Sequence, residues 1–156
     1  LGPLYHLTKK DDRSQAIKEA FRILNPGGVV IAAGISRYAS LVDGLKKGYF
    51  SQDYYVEMVN ETIVTGVHQN KNKNKDHFTE AYFHKPEELK EELEENGFKN
   101  TKILAIEGPS WSLSNLDDYW EDEKIRGNLL DMLQKLESEP SILGYSAHFM
   151  AISWKK

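Results

Sequence analysis

The sequence predicts an α/β fold, with a buried sheet strand flanked by helices. Three observations predict it. Ala20 to Ser36, AFRILNPGGVVIAAGIS, reads as the end of a helix, a Pro-Gly-Gly turn and an apolar strand. LGPLYHL precedes that helix as a strand end and loop. The order is therefore strand, helix, strand, which is half of a right-handed crossover. Gly144 to Trp154, GYSAHFMAISW, is apolar on both faces and so reads as a central strand.

Each element has a local cause. Thr8 can cap the first helix, with Asp11 three residues on. Over Lys9–Leu24 the residues Ala16, Ile17, Ala20, Phe21 and Leu24 form one apolar stripe. Asn25 and Pro26 stop it, because proline cannot continue the hydrogen-bond ladder and disfavours α geometry in the residue before it. Gly27 and Gly28 permit the positive φ of a tight exit. Val29 to Ala33 is β-branched and too short for a helix, as in a strand covered on both faces. Burying Val29, Val30, Ile31 and Ile35 would contribute roughly 1.5–3 kcal/mol each.

Further on, Ala39–Lys47 is a short helix with Leu41, Val42 and Leu45 on one side. Gly48 to Val67 is helical again. Its stripe of Tyr55, Met58, Val59, Ile63 and Val67 serves either core packing or an apolar pocket. His68 to Asp76 alternates Asn and Lys, a solvated turn without the aromatics or glycines of a phosphate or nucleic-acid site. Phe78–His84 reads as a short strand with Tyr82 and His84 on one face. Pro86 opens a helix, Glu87 and Glu88 favour its positive end, Leu89 and Leu93 face the core, and Gly97 caps it before Phe98. Thr101–Pro109 is the next strand and Trp111 follows in a loop. Ser114 or Asn115 caps a long acidic helix carrying Ile125, Leu129, Met132, Leu133 and Leu136, and Pro140 ends the connection.

Composition bounds the function. The chain has 156 residues, 40% hydrophobic and 28% charged, enough for one domain with a real core. A net charge of −4 disfavours a sequence-independent grip on nucleic acid or anionic lipid, so neither nucleic acid nor membrane is expected as a partner. The lack of cysteine excludes disulfides and thiolate metal sites and fits a cytoplasmic location. No apolar run approaches a membrane span. His6, His68, His77, His84 and His148 are scattered, without metal-ligand spacing. His148, inside the last strand, reads as a satisfied core histidine.

LGPLYHL, a helix and LNPGGVVIAAGIS together resemble the region that runs from the fourth into the fifth strand of class I S-adenosylmethionine-dependent methyltransferases. FTEAYFHKPEELKEELEENGF resembles a stretch of one subgroup, where it follows a lid-like insertion and leads into the sixth strand. The last strand, with its SAHxxA pattern, looks like the seventh. The resemblance implies the second half of a Rossmann-like methyltransferase sheet, with a final antiparallel strand and flanking helices. On this reading residues 1–156 form a single partial domain, with 48–84 as the insertion.

The same resemblance implies the site. Gly2, Pro3 and Leu4 would lie near S-adenosylmethionine, since open sheets bind ligands at the carboxyl ends of their strands. Tyr5 and His6 would look into the substrate cavity, Tyr5 as a pocket wall or phenol hydrogen bond and His6 as general base or substrate orienter. Each also fits an ordinary loop role, Tyr5 packing on the next helix and His6 making a local hydrogen bond. Ser36, Arg37 and Tyr38 follow the strand end. Arg37 would hold an anionic substrate group or form a surface salt bridge. Tyr82 and His84 would reach the active site or belong to a half-exposed edge strand. Trp111 would cover the pocket mouth or sit in a satellite cluster under a loop.

The family's glycine-rich loop and ribose-binding acid would lie upstream of Leu1, which itself reads as the last residue of a strand. The expectation is methyl transfer to a small-molecule acceptor by the intact protein, with weak or no cofactor binding by this piece alone. The bare edge of the Val29–Ile35 strand is expected to form a homodimer. Two other readings stand beside it: a non-catalytic interaction module on the same scaffold, and a nicotinamide-dependent Rossmann enzyme, which has no place for the AYFH stretch or the final strand.

Overall fold

Strand β1 (Val29–Ile35) enters the sheet through the Pro-Gly-Gly turn, and the carboxyl-terminal tail fastens that turn. The computed structural model describes residues 2–75 and 77–156, so the strand end read at Leu1 lies outside the described residues. Gly27 has φ +81°, and its N–H donates to the Lys155 carbonyl at 2.7 Å. Lys155 N donates back to Gly28 O at 2.9 Å. Lys155 Nζ donates to the carbonyls of Phe21 and Leu24, which the end of helix α1 (Lys10–Ile23) leaves without helical partners.

The sheet has the order β1, β5 (His148–Trp154), β4 (Lys99–Ala105), and β5 runs antiparallel to both neighbours. The last strand is therefore central, as its two apolar faces predict. One sheet face is packed: Ala32 of β1 with Phe149 and Ala151 of β5 meet Ile17 of α1, and Leu89 and Leu93 of helix α4 (Pro86–Glu95). Gly34 belongs here because a Cβ would lie 2.7 Å from the Phe149 ring. Gly97 ends α4 at φ +101°, and Phe98 N donates to Leu93 O while its buried ring meets Phe21 edge-on at 5.1 Å.

The opposite face departs from the sequence expectation. Val29 and Ile31 are 41% and 43% exposed, so β1 is covered on both sides only toward its Ile35 end. The residues of that face alternate as Val29, Ile31, Ala33 and Ile35. The segment after the strand covers Ile35, where Ala39, Ala81 and Phe83 pack. Among the described residues the outer edge of β1 has no strand partner.

That segment contains helix α2 (Ala39–Lys47), helix α3 (Asp53–Thr65) and a two-stranded ribbon of β2 (Val67–His68) with β3 (Ala81–Tyr82). The strand expected over Phe78–His84 is thus shortened, and His84 instead makes a parallel bridge to Ser36. The expected long helix breaks at Asp122, whose carboxylate accepts Lys124 N and Ile125 N at 2.9 Å. This divides it into α5 (Leu116–Glu121) and α6 (Glu123–Leu136). Pro140 opens a further turn, α7 (Pro140–Leu143), in keeping with its preference for the first helical position. No helix among the described residues is long and apolar enough to cross a membrane.

A buried ionic network ties these layers together. Arg13 of α1 is 2% exposed and pairs with Glu92 of α4 at 2.7 Å. Its Nη1 donates to the carbonyls of Leu7 and Thr8, and its guanidinium lies 3.7 Å over the Tyr82 ring. Burial opposes ionisation of Glu92, but the hydrogen bonds from His84 and Arg13 prevail and bring its pKa down to about 2.

Replacing Arg13 by Met should destabilise the fold by about 3–5 kcal/mol in chemical denaturation, because it leaves Glu92 buried and unpaired. The Glu92 pKa is lowered on folding, so its stabilisation is present above the unfolded value near 4.5 and is lost as pH falls toward 2. Glu92→Gln should therefore flatten the loss of melting temperature across that window.

Candidate functional site

A cavity of about 380 Å³ lies where β1 ends and β5 begins. Ile35 and His148 are directly opposed in the β1–β5 register, so they share a sheet face, and both line it. Helix α2 contributes Ala39, Ser40 and Asp43, and α3 contributes Tyr55 and Met58. Phe83 and Trp111 complete the apolar wall. Such a shape, mostly apolar with a few polar groups, suits a small organic molecule.

His68 is one of the polar groups. Strand β2 buries it to 1% exposure, with Nδ1 3.2 Å from Thr62 Oγ1 and 3.3 Å from Ser40 Oγ. Its ring stacks on Phe83 at 4.6 Å with an interplanar angle of 9°. Burial pushes its pKa down to about 4, so His68 is a neutral imidazole at physiological pH. The His77 ring sits among the rings of Tyr49, Tyr54 and Tyr55 at 5.0 to 5.7 Å. Burial, then the charge of Asp43, raises the Tyr55 pKa, and its hydroxyl donates to Ser40 O at 2.7 Å.

The second polar group is a carboxylate–imidazole pair. His148 Nδ1 lies 2.6 Å from Glu107 Oε1, and both residues line the cavity. Glu107 Oε2 accepts the His148 backbone N–H at 2.9 Å and lies 3.1 Å from Ser146 Oγ. Ser146 Oγ in turn accepts Gly108 N at 3.0 Å. The hydrogen bond that His148 donates to Glu107 holds the His148 pKa above its ordinary value, against a smaller opposing effect of burial. Burial acts to raise the Glu107 pKa, but the hydrogen bonds from His148 outweigh it and keep the carboxyl below its usual range. His148 is half-exposed, with its side chain 44% accessible, so it is not the core histidine that its position in an apolar strand predicts. The pair escapes sequence reading because its members are 41 residues apart. They meet only through the β4–β5 ladder, continued by the bond from Ile106 N to His148 O.

The residues singled out in the sequence fall into two groups. Trp111 lines the cavity and donates from its indole to Tyr145 O at 2.9 Å. The turn holding Gly2, Pro3, Leu4, Tyr5 and His6 lies beside it. Leu4 is buried in the main core, and Tyr5 packs against the cluster of Ile35, Ala39, Ala81 and Phe83. His6 stacks on Phe78, another cavity residue, at 6.3 Å. Arg37, Tyr82 and His84 lie elsewhere, in the ionic network. Arg37 is 3% exposed, donates to Phe83 O at 2.6 Å and pairs with Glu88 at 2.5 Å. Its guanidinium is occupied by protein groups, which leaves no bidentate face for an anionic substrate. Tyr82 lies under Arg13, and the fully buried His84 reaches Glu92 at 3.4 Å.

No protein-family model matches the chain, and no curated protein matches it significantly. Solved structures do. An S-adenosylmethionine-dependent methyltransferase from Methanosarcina mazei superposes with a TM-score of 0.51 at 17% identity, over 99% of this chain and 57% of that one. The chain has a class I methyltransferase-like fold. It spans little more than half the length of that protein. A methyltransferase from Thermotoga maritima aligns at 19% identity over 94% of this chain and 50% of its own, with a TM-score of 0.43. Phosphoethanolamine N-methyltransferase 2 from Haemonchus contortus, solved with S-adenosylhomocysteine, aligns at 14% identity over 99% and 32%, with a TM-score of 0.44. In this methyltransferase-like sheet the cavity opens at the carboxyl end of β1, the end where open α/β sheets take ligands.

Histidine NMR should show His148 titrating above the ordinary value of 6.5, with Glu107→Gln bringing its midpoint back down toward it. An unchanged midpoint in that variant would separate the two groups.

Proposed function

We propose that the protein containing this chain transfers a methyl group from S-adenosylmethionine to a small-molecule acceptor, and that this chain supplies the acceptor side of the site. The observation that carries the reading is a cavity of about 380 Å³ at the carboxyl end of β1, in a fold shared with a methyltransferase.

On this reading one end of the cofactor would meet the turn that precedes α1. A Cβ at Gly2 would lie 2.4 Å from Tyr5 Oη, so glycine is what allows the Tyr5 ring to fold over this turn. Gly2 and Pro3 would face the methionine end, whereas Leu4, expected there from the sequence, is buried in the main core. The bound cofactor supplies an electrophilic methyl group. The chain itself would give the acceptor apolar walls and fix its orientation, and positioning of this kind is the main source of rate in such a displacement. The adenosine-holding loop and ribose acid belong, on this reading, to residues outside the chain.

Calorimetric titration of S-adenosylmethionine should give weak or no binding to this chain and micromolar binding to a chain extended at its amino end. Silence from both would favour a non-catalytic interaction module. The reading also includes a homodimer through the outer edge of β1, where Val29 and Ile31 leave apolar surface beside unpaired backbone groups. Light scattering should report a dimer at high protein concentration, and a clean monomer would remove that part. The reading also includes a cytoplasmic location, which the lack of cysteine suits.

A further inference from the structure

We propose that His148 is the proton acceptor of this cavity, with Glu107 as its positioning residue, and that the acceptor molecule is an uncharged planar compound bearing a phenol-type hydroxyl. This rests on the methyltransferase reading for the reaction, but on the cavity alone for the ligand.

The first argument is charge. The described residues that line the cavity include neither Lys nor Arg. Its two carboxylates are both engaged, Asp43 by Lys47 at 2.9 Å and Glu107 by His148 at 2.6 Å. His68 is held neutral by burial. Among the described lining residues neither sign of charge is left unbalanced, because Glu107 offsets His148 when the ring is protonated and Lys47 offsets Asp43. A charged acceptor would lose its hydration without gaining a partner.

The second argument is shape. Phe78, Phe83, Trp111 and Tyr55 line the cavity together with Ile35 and Met58. Aromatic walls favour a flat apolar body.

The third argument is the geometry of the imidazole. Glu107 occupies Nδ1 of His148, so in the neutral ring the proton resides there and Nε2 carries the free lone pair. The carboxylate thus sets the tautomer and stabilises the imidazolium formed on proton uptake. As the hydroxyl oxygen bonds to the methyl carbon, the carbon–sulfur bond breaks and its electron pair stays on sulfur. The hydroxyl proton passes to Nε2, and the half-exposed ring returns it to solvent. Among the described residues, the titratable groups that line the cavity with His148 are Glu107 just after β4, Asp43 on α2, Tyr55 on α3, His68 on β2 and His77 before β3.

The test uses the 156-residue chain labelled with ¹⁵N-histidine and three probes of one shape: 2-naphthol, 2-naphthyl phosphate and 2-naphthylmethylammonium. The expected result is that 2-naphthol binds, shifts the Nε2 resonance of His148, and binds at least tenfold more tightly than either charged probe. In Glu107→Gln the naphthol should still bind, with the Nε2 response reduced severalfold. His148→Gln, with unchanged thermal melting, should weaken naphthol binding and leave the charged probes as they were. Equal or tighter binding of the phosphate or the ammonium, or naphthol binding without a His148 response, would overturn the proposal, as would no naphthol binding at all. S-adenosylmethionine titration of the extended chain reports separately. Naphthol at His148 with no cofactor binding would sink methyl transfer and leave the site assigned, whereas cofactor binding without naphthol would do the reverse.

Discussion

The ion pair between Arg13 and Glu92 is the contact on which the rest of the molecule depends. Helices α1 and α4 both lie on the packed face of the sheet, and this pair joins them where both side chains are buried. Burying two charges is costly, and the Coulombic return is adequate only when the remaining hydrogen-bonding groups are also satisfied. Here they are. Glu92 receives two guanidinium nitrogens, and the third donates to the carbonyls that lead into α1. The Tyr82 ring lies against the guanidinium, and His84 closes the other side of the carboxylate. Because Tyr82 and His84 belong to the segment between α2 and α4, the same pair fixes the layer that encloses the cavity.

A second arginine repeats the device one layer out. Arg37 follows directly after β1 and reaches the Phe83 carbonyl, Tyr82 and Glu88. Glu88 also accepts the N–H of Lys85 at the start of α4, so one carboxylate serves a helix end and a buried cation together. Gly66 is needed beside it: it has φ +81°, and a Cβ there would lie 2.6 Å from Arg37 Nη2. The ribbon of β2 and β3 is too short to be stable by itself. These polar anchors, with the bridge from Ser36 to His84, hold it over the sheet and keep His68 in place at the cavity wall.

The sheet has two unlike faces. One is closed by α1 and α4. The other is closed only near Ile35, where the cavity forms, and is open at Val29 and Ile31. The strand face is thus covered at one end and bare at the other, and the bare end leaves an apolar patch on the surface.

Much of the fold was legible from local chemistry. The stripe of α1, the Pro-Gly-Gly exit, the β-branched run of β1, Pro86 and Gly97 at the two ends of α4 and the central last strand each follow from φ/ψ preference and side-chain period. Those rules act over a few residues, so one chain carries them openly. The uses of its polar residues were not legible in this way. Arg37 and His84 resemble site residues in sequence, yet tertiary packing assigns them to anchoring. His148 resembles a core residue because its neighbours Phe149 and Ala151 are buried, yet strand alternation turns it to the other face and β4 delivers Glu107 to it. The sequence by itself determined the elements and their order, through interactions between near neighbours. The tertiary structure alone decided that Arg13 meets Glu92, Arg37 meets Glu88 and His148 meets Glu107, because those three pairings span 41 to 79 residues and exist only once the sheet and helices have docked.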